Sequence, residues 1–405
     1  MSVQKENLHN PKMLNPIREF DKQTKLDPHI WLKTMRETQP IRYDETRDGW
    51  DFFEYEDVHY ILNHPEIFSS RRYPPHLMIS QSLVFQDPPR HTDLRGMINK
   101  AFTPKMVADF APRIQQKAEE LLDQALAKGS LDIVDDFGAR LPVAVISWML
   151  GVEEAHQEMF LNWGLRFMQG VESTDPEELK RLQEDQKQAQ AELFSYLKEK
   201  IAFFRQNPGE NLLSALVHAD VDGVPLNEDE LLAFCSILLA GGSETTMHLF
   251  SHTARLFIEY PEIEQQLREN PSLYPTAIEE VLRFRPALPL LMRVCAQDTE
   301  VKGHQIKRGQ GITAWISAAN RDPKKFERPD EFVIDRSPNP HLTFGHGIHY
   351  CIGAPLARME ATIGLKELLK RYTNFAYVPG VQLEAVPSII VNGVKSLPVV
   401  ADRRV

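Results

Sequence analysis

From Thr92 to Tyr260, apolar positions recur mostly every three or four places, the period of a helix with one buried face. Arg113 to Lys128 follows this period and stops at Gly129, which predicts an amphipathic helix with a glycine end. Ala139 to Leu150 is apolar nearly all round through Val143, Val145, Ile146, Trp148 and Met149, so it predicts a buried helix. Glu177 to Phe204 is strongly charged with spaced Leu, Phe, Tyr and Ile, the pattern of a surface helix with one inward face. Two helices with a variable loop, near Glu158 to Asp185, are the natural place for a lid. The longest pattern opens where Asn227 and Glu230 stand in capping-box spacing behind Pro225, and it runs to Tyr260, where Pro261 stops it. Roughly 33 residues at 1.5 Å each would span ~50 Å and cross the whole molecule. A further helix is predicted from Pro275 to Phe284.

Other stretches change the pattern. Trp50 to Glu54 alternates like a strand, and Asp57 to Leu62 reads as a short helix closing at Asn63-His64-Pro65. Ser69 to Pro89 is rich in proline with no clean period, so a loop with a short helix inside is expected. After residue 285, short strand-like segments alternate with turns, and Leu397 to Val400 is the last of them. Residues 1–20 are polar and broken by prolines, which suggests a loosely attached arm. No linker, repeat or low-complexity segment interrupts the chain. Its 405 residues therefore read as a single domain, mainly α with small β-sheets, although the length alone would allow two or three.

Composition narrows the function. Hydrophobic content of 42% and charged content of 25% are ordinary for a soluble globular protein. A net charge of −11 argues against general nucleic-acid binding. The N-terminus has no apolar run of leader or membrane-spanning length, so no membrane anchor and a cytoplasmic location are expected. The three cysteines, Cys235, Cys295 and Cys351, have no paired spacing, which suggests neither a disulfide framework nor a zinc site. That usage fits a reducing cytosol.

Two stretches carry chemistry. The first is the glycine-rich run His341 to Gly353, which places Cys351 just before a helical pattern from Ala354 to Leu369. Pro355 is tolerated in a first helical turn, so the helix must start just after the cysteine. Gly345, Gly347 and Gly353 would let the backbone turn tightly beside a flat object. A thiolate here can be stabilised by backbone N–H groups and the positive end of the helix dipole. A lone cysteine suits a single axial bond to a metal in a cofactor better than a zinc cage. The bland alternative is a free cysteine in a turn, acting as a small hydrophobe.

The second stretch is Ala240-Gly241-Gly242-Ser243-Glu244-Thr245-Thr246, inside the longest helix. Two adjacent glycines in a helix interior cost ~1 kcal/mol each relative to alanine. They permit close approach of a flat ligand and an opening of the hydrogen-bond ladder, or they serve helix packing alone. Thr245 can bond back to a carbonyl near Gly241 or to a small ligand in that opening. Glu244 is a carboxylate between apolar turns, suited to proton delivery. Elsewhere, His91 and Arg95 stand at i and i+4 on one helix face, and Glu280 and Arg283 at i and i+3 on another. Alone, His91 reads as a surface histidine and the second pair as a surface ion pair.

Phe344, Gly347, His349, Cys351 and Gly353 resemble the haem-ligand loop of the cytochrome P-450 superfamily, and Gly241 to Thr246 resembles its oxygen-activation motif. Lacking an apolar N-terminus, the chain is most similar to the soluble bacterial members. The resemblance implies the family's triangular-prism fold with a long central helix crossing the haem. It implies haem b, held by Cys351 as axial thiolate and bordered by Ala240, Gly241, Phe344 and Gly353. His91, Arg95, Arg293 and His349 match the family's propionate ligands, where charge-assisted donors are required. Glu244 takes the place of the relay acid and Thr245 that of the oxygen-stabilising hydroxyl. Glu280, Arg283 and Arg336 match a structural trio that holds the cysteine loop.

The implied activity is insertion of one atom of O2 into a C–H bond. The chain has no Gly-x-Gly-x-x-Gly fingerprint and no spare cysteines for an iron–sulfur cluster. Electrons would therefore come from NAD(P)H through a separate ferredoxin or flavodoxin with its reductase. Lys100, Lys105 and Arg358 are candidate docking residues. Leu83, Val84, Phe85, Ile237, Leu288, Leu291, Met292, Ile390 and Val391 match the family's substrate-contacting segments. Their aliphatic character suggests a bulky apolar substrate such as a steroid, secosteroid, terpenoid or fatty acid. Arg71, Arg72 or His76 either meet a substrate carboxylate or are solvated loop residues. The competing readings are a peroxide-driven peroxygenase, against which the Glu244–Thr245 pair argues, and a non-enzymatic haem-thiolate sensor or ligand carrier.

Overall fold

A computed structural model describes residues 15–168, 175–221 and 223–404. The principal helices are α1 (His29–Thr38), α2 (Tyr55–Asn63), α3 (Arg90–Ala101), α4 (Ala111–Lys128), α5 (Arg140–Met149), α6 (Gln157–Met168), α7 (Pro176–Gln206), α8 (Glu228–Glu259), α9 (Tyr274–Phe284) and α10 (Ala354–Arg371). Shorter helical turns join them. The strands that matter for the site are β1 (Ile41–Asp44), β2 (Gly49–Phe52), β3 (Phe68–Ser69), β4 (Leu131–Asp132), β5 (Leu291–Cys295), β6 (Gly311–Ala314), β7 (Tyr372–Tyr377) and β8 (Pro398–Arg403). Five of them form one sheet in the order β1-β2-β6-β5-β3, and three form another in the order β7-β8-β4.

Local chemistry sets the element ends. The α4 helix stops at Gly129, whose φ of 82° is the left-handed end that glycine takes without a Cβ penalty. The α8 helix has the expected capping box, with the Asn227 side chain on the Glu230 amide and the Glu230 carboxylate on the Asn227 amide. At 1.5 Å per residue its 32 residues span about 48 Å. Both faces of its second half are buried, from Thr246 to Phe257, so it runs through the main core rather than over it. The α10 helix packs against it where Gly364 meets Phe250, and a Cβ on Gly364 would lie 2.6 Å from that ring.

Two expectations need correction, and a third lies partly outside the described residues. The arm is not loose over its described part. Arg18 donates to both oxygens of Asp44 at 2.7 and 2.9 Å, and Phe20 packs into a cluster with Leu32, Phe53 and Trp315. Aromatic burial there outweighs the polar look of the flanking sequence; residues 1–14 lie outside the described set. The lid loop near Glu158 to Asp185 is described only as α6 and the start of α7, and residues 169–174 lie outside it. The hydrogen-bond ladder of α8 does not open at the glycine pair, for the helix runs unbroken from Glu228 to Glu259.

Candidate active site

Cys351 sits at the tip of the loop between β6 and α10. Its amide donates to the Phe344 carbonyl at 2.8 Å, which closes the loop on itself. Gly345 and Gly347 have φ of 71° and 66°. At Gly347 a Cβ would also fall 2.8 Å from the Leu62 carbonyl, so glycine is required both by the turn and by the approach to α2. Gly353 differs from expectation, since its φ is −80° and a Cβ there would meet only ordinary contact. What it supplies is its amide. The N–H groups of Gly353 and Ala354, with the charges of Arg95 and Arg358, favour the thiolate, while burial opposes it and wins, so the thiol is raised above its ordinary value. Cys351 is exposed, yet protein surrounds it closely enough to desolvate it; its sulfur therefore opens into a recess.

A buried ion cluster fixes the foot of this loop. Glu280 and Arg283 are wholly buried, and the Arg283 guanidinium donates to both Glu280 oxygens at 2.7 and 2.8 Å. Its remaining nitrogen bonds the carbonyls of Asn320 and Pro329, and Nη2 also reaches Glu331. Arg336 donates through Nε to both Glu280 oxygens at 3.0 Å, joined by the Val333 amide and the Asn339 side chain. The trio is thus a core network rather than a weak surface pair. Asn320, which the sequence reading did not single out, carries the network forward. Its side chain accepts from the Leu342 amide at 2.8 Å and donates to Thr343 Oγ1 at 2.9 Å, just before Phe344. A single asparagine has no periodicity to reveal it.

The α8 helix presents an opening at its glycine pair. Its neighbours are buried, but Ala240, Glu244 and Thr245 are half-buried and Gly241 is exposed, and an added Cβ on Gly241 would meet nothing within 4 Å. Gly242 faces the other way, with Ile146 2.7 Å from where its Cβ would be, so one glycine leaves space and the other lets α5 pack. Thr245 Oγ1 donates to the Gly241 carbonyl at 2.6 Å. Burial alone raises the Glu244 carboxyl from the ordinary 4.5 to about 7. Thr245 and Glu244 therefore place a hydroxyl and a protonated acid beside the open patch.

Basic groups from three segments converge. The His91 and His349 rings lie 4.4 Å apart. Burial together with the nearby Arg293, His91 and Arg95 pushes His349 down to about 2. Arg293 is buried on β5, its Nη1 donates to the adjacent Met292 carbonyl, and burial brings it to about 10. The buried Nε2 of His91 has no hydrogen-bond partner among the described residues. A buried guanidinium beside two imidazoles, one with an unpartnered ring nitrogen, is suited to an anionic group. Asp87 reaches this region from the other side, accepting from Ser69 Oγ and from the Ser70 amide. Ser70 Oγ lies 3.0 Å from His349 Nε2, a contact across 279 positions that no local pattern signals.

These observations fit haem. The cysteine recess offers one soft axial ligand, the basic cluster offers donors for two acids, and the bare patch at Gly241 offers room for a flat ring. Phe344 stands beside the cysteine, with the Arg358 guanidinium 4.5 Å from its ring centre.

The substrate-facing expectations divide. Phe85, Ile237, Leu288, Leu291 and Ile390 are half-buried, and Val84 is exposed. Leu83 and Val391 are buried, and Leu83 belongs to the main core. Met292 is buried and packs in a cluster with Phe20, Phe53 and Trp315, against which Ile390 also packs. Strand alternation puts it on the opposite face of β5 from Leu291 and Arg293. The docking expectations also change. Lys100 is exposed, but Lys105 pairs with Asp109 at 2.7 Å, and Arg358 donates to Glu279 at 2.6 and 2.7 Å. A groove of about 300 Å³ lined by Pro275, Glu279, Arg358 and Thr362 contains neither Cys351 nor Thr245, so it is separate from this site.

Among the described residues no helix is long and apolar enough to cross a membrane. Comparison with known proteins agrees with the geometry. The cytochrome P450 family model matches residues 50–388. A putative cytochrome P450, YjiB, of Bacillus subtilis is 39% identical over 94% of this chain and 95% of its own. The structure of substrate-free CYP109E1 from Bacillus megaterium superposes with a TM-score of 0.90 at 37% identity, covering 94% of this chain and 100% of that one. The same enzyme in complex with testosterone gives 0.87 at 37% identity, covering 94% and 99%. The family model over residues 50–388, together with a relative 39% identical over 94% of the chain, shows that this protein belongs to the cytochrome P450 monooxygenases.

Proposed function

We propose that this monooxygenase hydroxylates a bulky apolar substrate of steroid or comparable size, using haem b that the Cys351 thiolate would hold. Haem, when bound, supplies the O2 chemistry that oxidises the C–H bond. The chain's own part is orientation and proton control. His91, Arg95, Arg293 and His349 would hold the two propionates, and Ala240, Gly241, Phe344 and Gly353 would border the ring. Phe85, Ile237, Leu288, Leu291 and Ile390 line the substrate side and keep water out. Thr245 holds a hydroxyl at the bare patch of α8, and Glu244 keeps a proton there up to about pH 7. That adjacent pair is the observation that carries the reading, because a carrier or sensor has no need of it, and a peroxygenase brings its own protonated oxidant.

The steroid reading is supported by the testosterone complex of CYP109E1 and by the aliphatic character of the lining. Electrons come from NAD(P)H through a ferredoxin or flavodoxin and its reductase in the cytoplasm. The test is Thr245→Ala in the reconstituted enzyme. Electron consumption is expected to continue while product yield falls by about a hundredfold and hydrogen peroxide rises, the lower end of the scale of losing one proton-transfer group. Full product yield from that variant would end the relay assignment. Titration with testosterone, read as a spin-state change, tests the substrate class; no response to any steroid would remove it.

A further inference from the structure

The α8 helix carries a polar line that the relay pair does not account for. At ~100° per residue, His248, His252, Arg255 and Glu259 fall within about 40° of Gly241 around the helix. They continue the side that holds the bare patch. At ~1.5 Å per residue, the line runs about 27 Å from Gly241 to Glu259. His248, His252 and Arg255 are buried, and Glu259 reaches the surface. Neither ring nitrogen of His248 has a hydrogen-bond partner among the described residues, nor has Nδ1 of His252 or Nε of Arg255. The two ring centres lie 6.3 Å apart, so their nitrogens cannot bond directly, while one bridging water fits. Backbone covers the line. A Cβ on Gly393 would fall 2.2 Å from His248 Nδ1, and the Asn392 carbonyl lies 3.0 Å from His252 Nε2. A carbonyl only accepts, so Nε2 carries the hydrogen and Nδ1 of His252 is an acceptor. At the outer end, Asn392 and Arg285 line a cleft with Asp27, His29 and Arg321. Arg285 Nη2 donates to Glu259 at 2.6 Å and lies 4.0 Å from Asp27, while its buried Nη1 has no partner.

Buried polar atoms are costly unless paired, and five of them along one seam suit a file of ordered water. We propose that this seam is a proton-entry path, in which waters ordered by His248, His252 and Arg255 connect the cleft at Asp27 and Arg285 to Glu244. The inference rests on the relay reading above. One turnover takes up O2, two electrons from the redox partner and two protons. It places one oxygen atom in the substrate and releases the other as water, so each proton that leaves Glu244 has to be replaced. The proton comes from solvent at the cleft. His252 anchors a water through Nδ1. His248, free at both nitrogens, accepts from that side and donates toward Glu244, one helical turn away with about 6 Å between Cβ atoms. Burial alone brings His248 to about 4. Burial, with the charges of Arg255, His248 and Arg285, holds His252 well below the usual imidazole range. Both rings are therefore neutral near pH 7 and pass a proton on rather than keep it.

The experiment pairs a crystal structure of the haem-loaded enzyme with coupling measurements on the reconstituted system. Ordered waters are expected at His248, at His252 Nδ1 and at Arg255 Nε. A dry seam overturns the proposal whatever the variants do. His252→Leu is expected to lower product formed per electron about tenfold, the scale of one hydrogen bond lost from the path. It should also raise the effect of D2O on product formation. His252→Gln, which can hold the same water, is expected between the leucine variant and wild type. His248→Leu should give the same two changes, which keeps the test open if His252→Leu does not fold. Glu244→Gln is measured alongside. Full coupling from it removes the relay reading itself. Loss of coupling in Glu244→Gln, beside wild-type coupling in both leucine variants, removes only the path. A merely structural role would weaken the spin-state response to testosterone or lower coupling with the D2O effect unchanged, and that result also overturns the proposal.

Discussion

Glu244 shows how burial alone can create a working acid. With no cation beside it, desolvation lifts its carboxyl from 4.5 to about 7. A carboxyl raised on folding binds a proton more tightly in the folded than in the unfolded chain. Its stabilising contribution is therefore full below about 4.5 and is lost as pH rises through about 7. Glu244→Gln should flatten this dependence: the urea midpoint of the wild type should fall more between pH 5 and pH 8 than that of the variant. In the same interval the wild type should lose coupling of electrons to product, as the proton at Glu244 is given up. Cys351 is held by opposed forces, with two amides and two arginines favouring the thiolate and burial opposing it. Cys351→Ser should keep the fold and lose the thiolate-type carbon monoxide band, which the difference spectrum reads directly. Both residues were legible in the sequence, because each is a reactive group in an apolar or glycine-rich setting that packing alone does not explain.

Among the elements, the connection from α9 to the cysteine loop depends on one carboxylate. Glu280 accepts from Arg283, Arg336, Val333 and Asn339 with no exposed surface. Glu280→Ala would leave two arginines in the core without their anion, a loss of about 3–5 kcal/mol. Little haem-loaded protein is expected from it, while Glu280→Asp should retain a fraction, as read by Soret absorbance per milligram. A second element-scale test lies on α8. His252 Nε2 lies 3.0 Å from the Asn392 carbonyl, and a Cβ on Gly393 would fall 2.2 Å from the His248 ring. Gly393→Ala should cost about 1–3 kcal/mol through overpacking and displace Ile390 and Val391, weakening substrate binding in a spin-state titration. Helix limits were readable because capping residues and prolines mark them. The faces of β5 were not, since Leu291, Met292, Val294 and Cys295 are apolar on both sides and only Arg293 breaks the run. The tie from Ser70 to His349 was hidden for a different reason, namely that it joins residues far apart in the chain.

For the molecule as a whole, the site belongs to the core rather than to its surface. The main core is built on α4, α5, α8 and α10 and holds together through contacts such as Phe250 on Gly364. The cysteine recess, the bare patch of α8 and the basic cluster form its open edge, where His91 keeps an orphaned donor and Arg293 and His349 stand as neighbouring bases. A bound dianionic ring would fill this edge and neutralise it, so cofactor removal should act unevenly. Anything that binds only the folded chain stabilises it by mass action, about 4 kcal/mol at a thousandfold excess over Kd. Haem-free protein should therefore melt several degrees lower. The loss should concentrate where haem replaces missing partners: α3, the segment from Ser70 to Gln86, and the loop before α10. The contact of α8 with α10 near Phe250 needs no cofactor and should persist. Hydrogen exchange of haem-free and haem-loaded protein tests this distribution. Faster exchange confined to those three segments is the expected result. Uniform acceleration through α4 and α8 would mean that the cofactor organises the core itself.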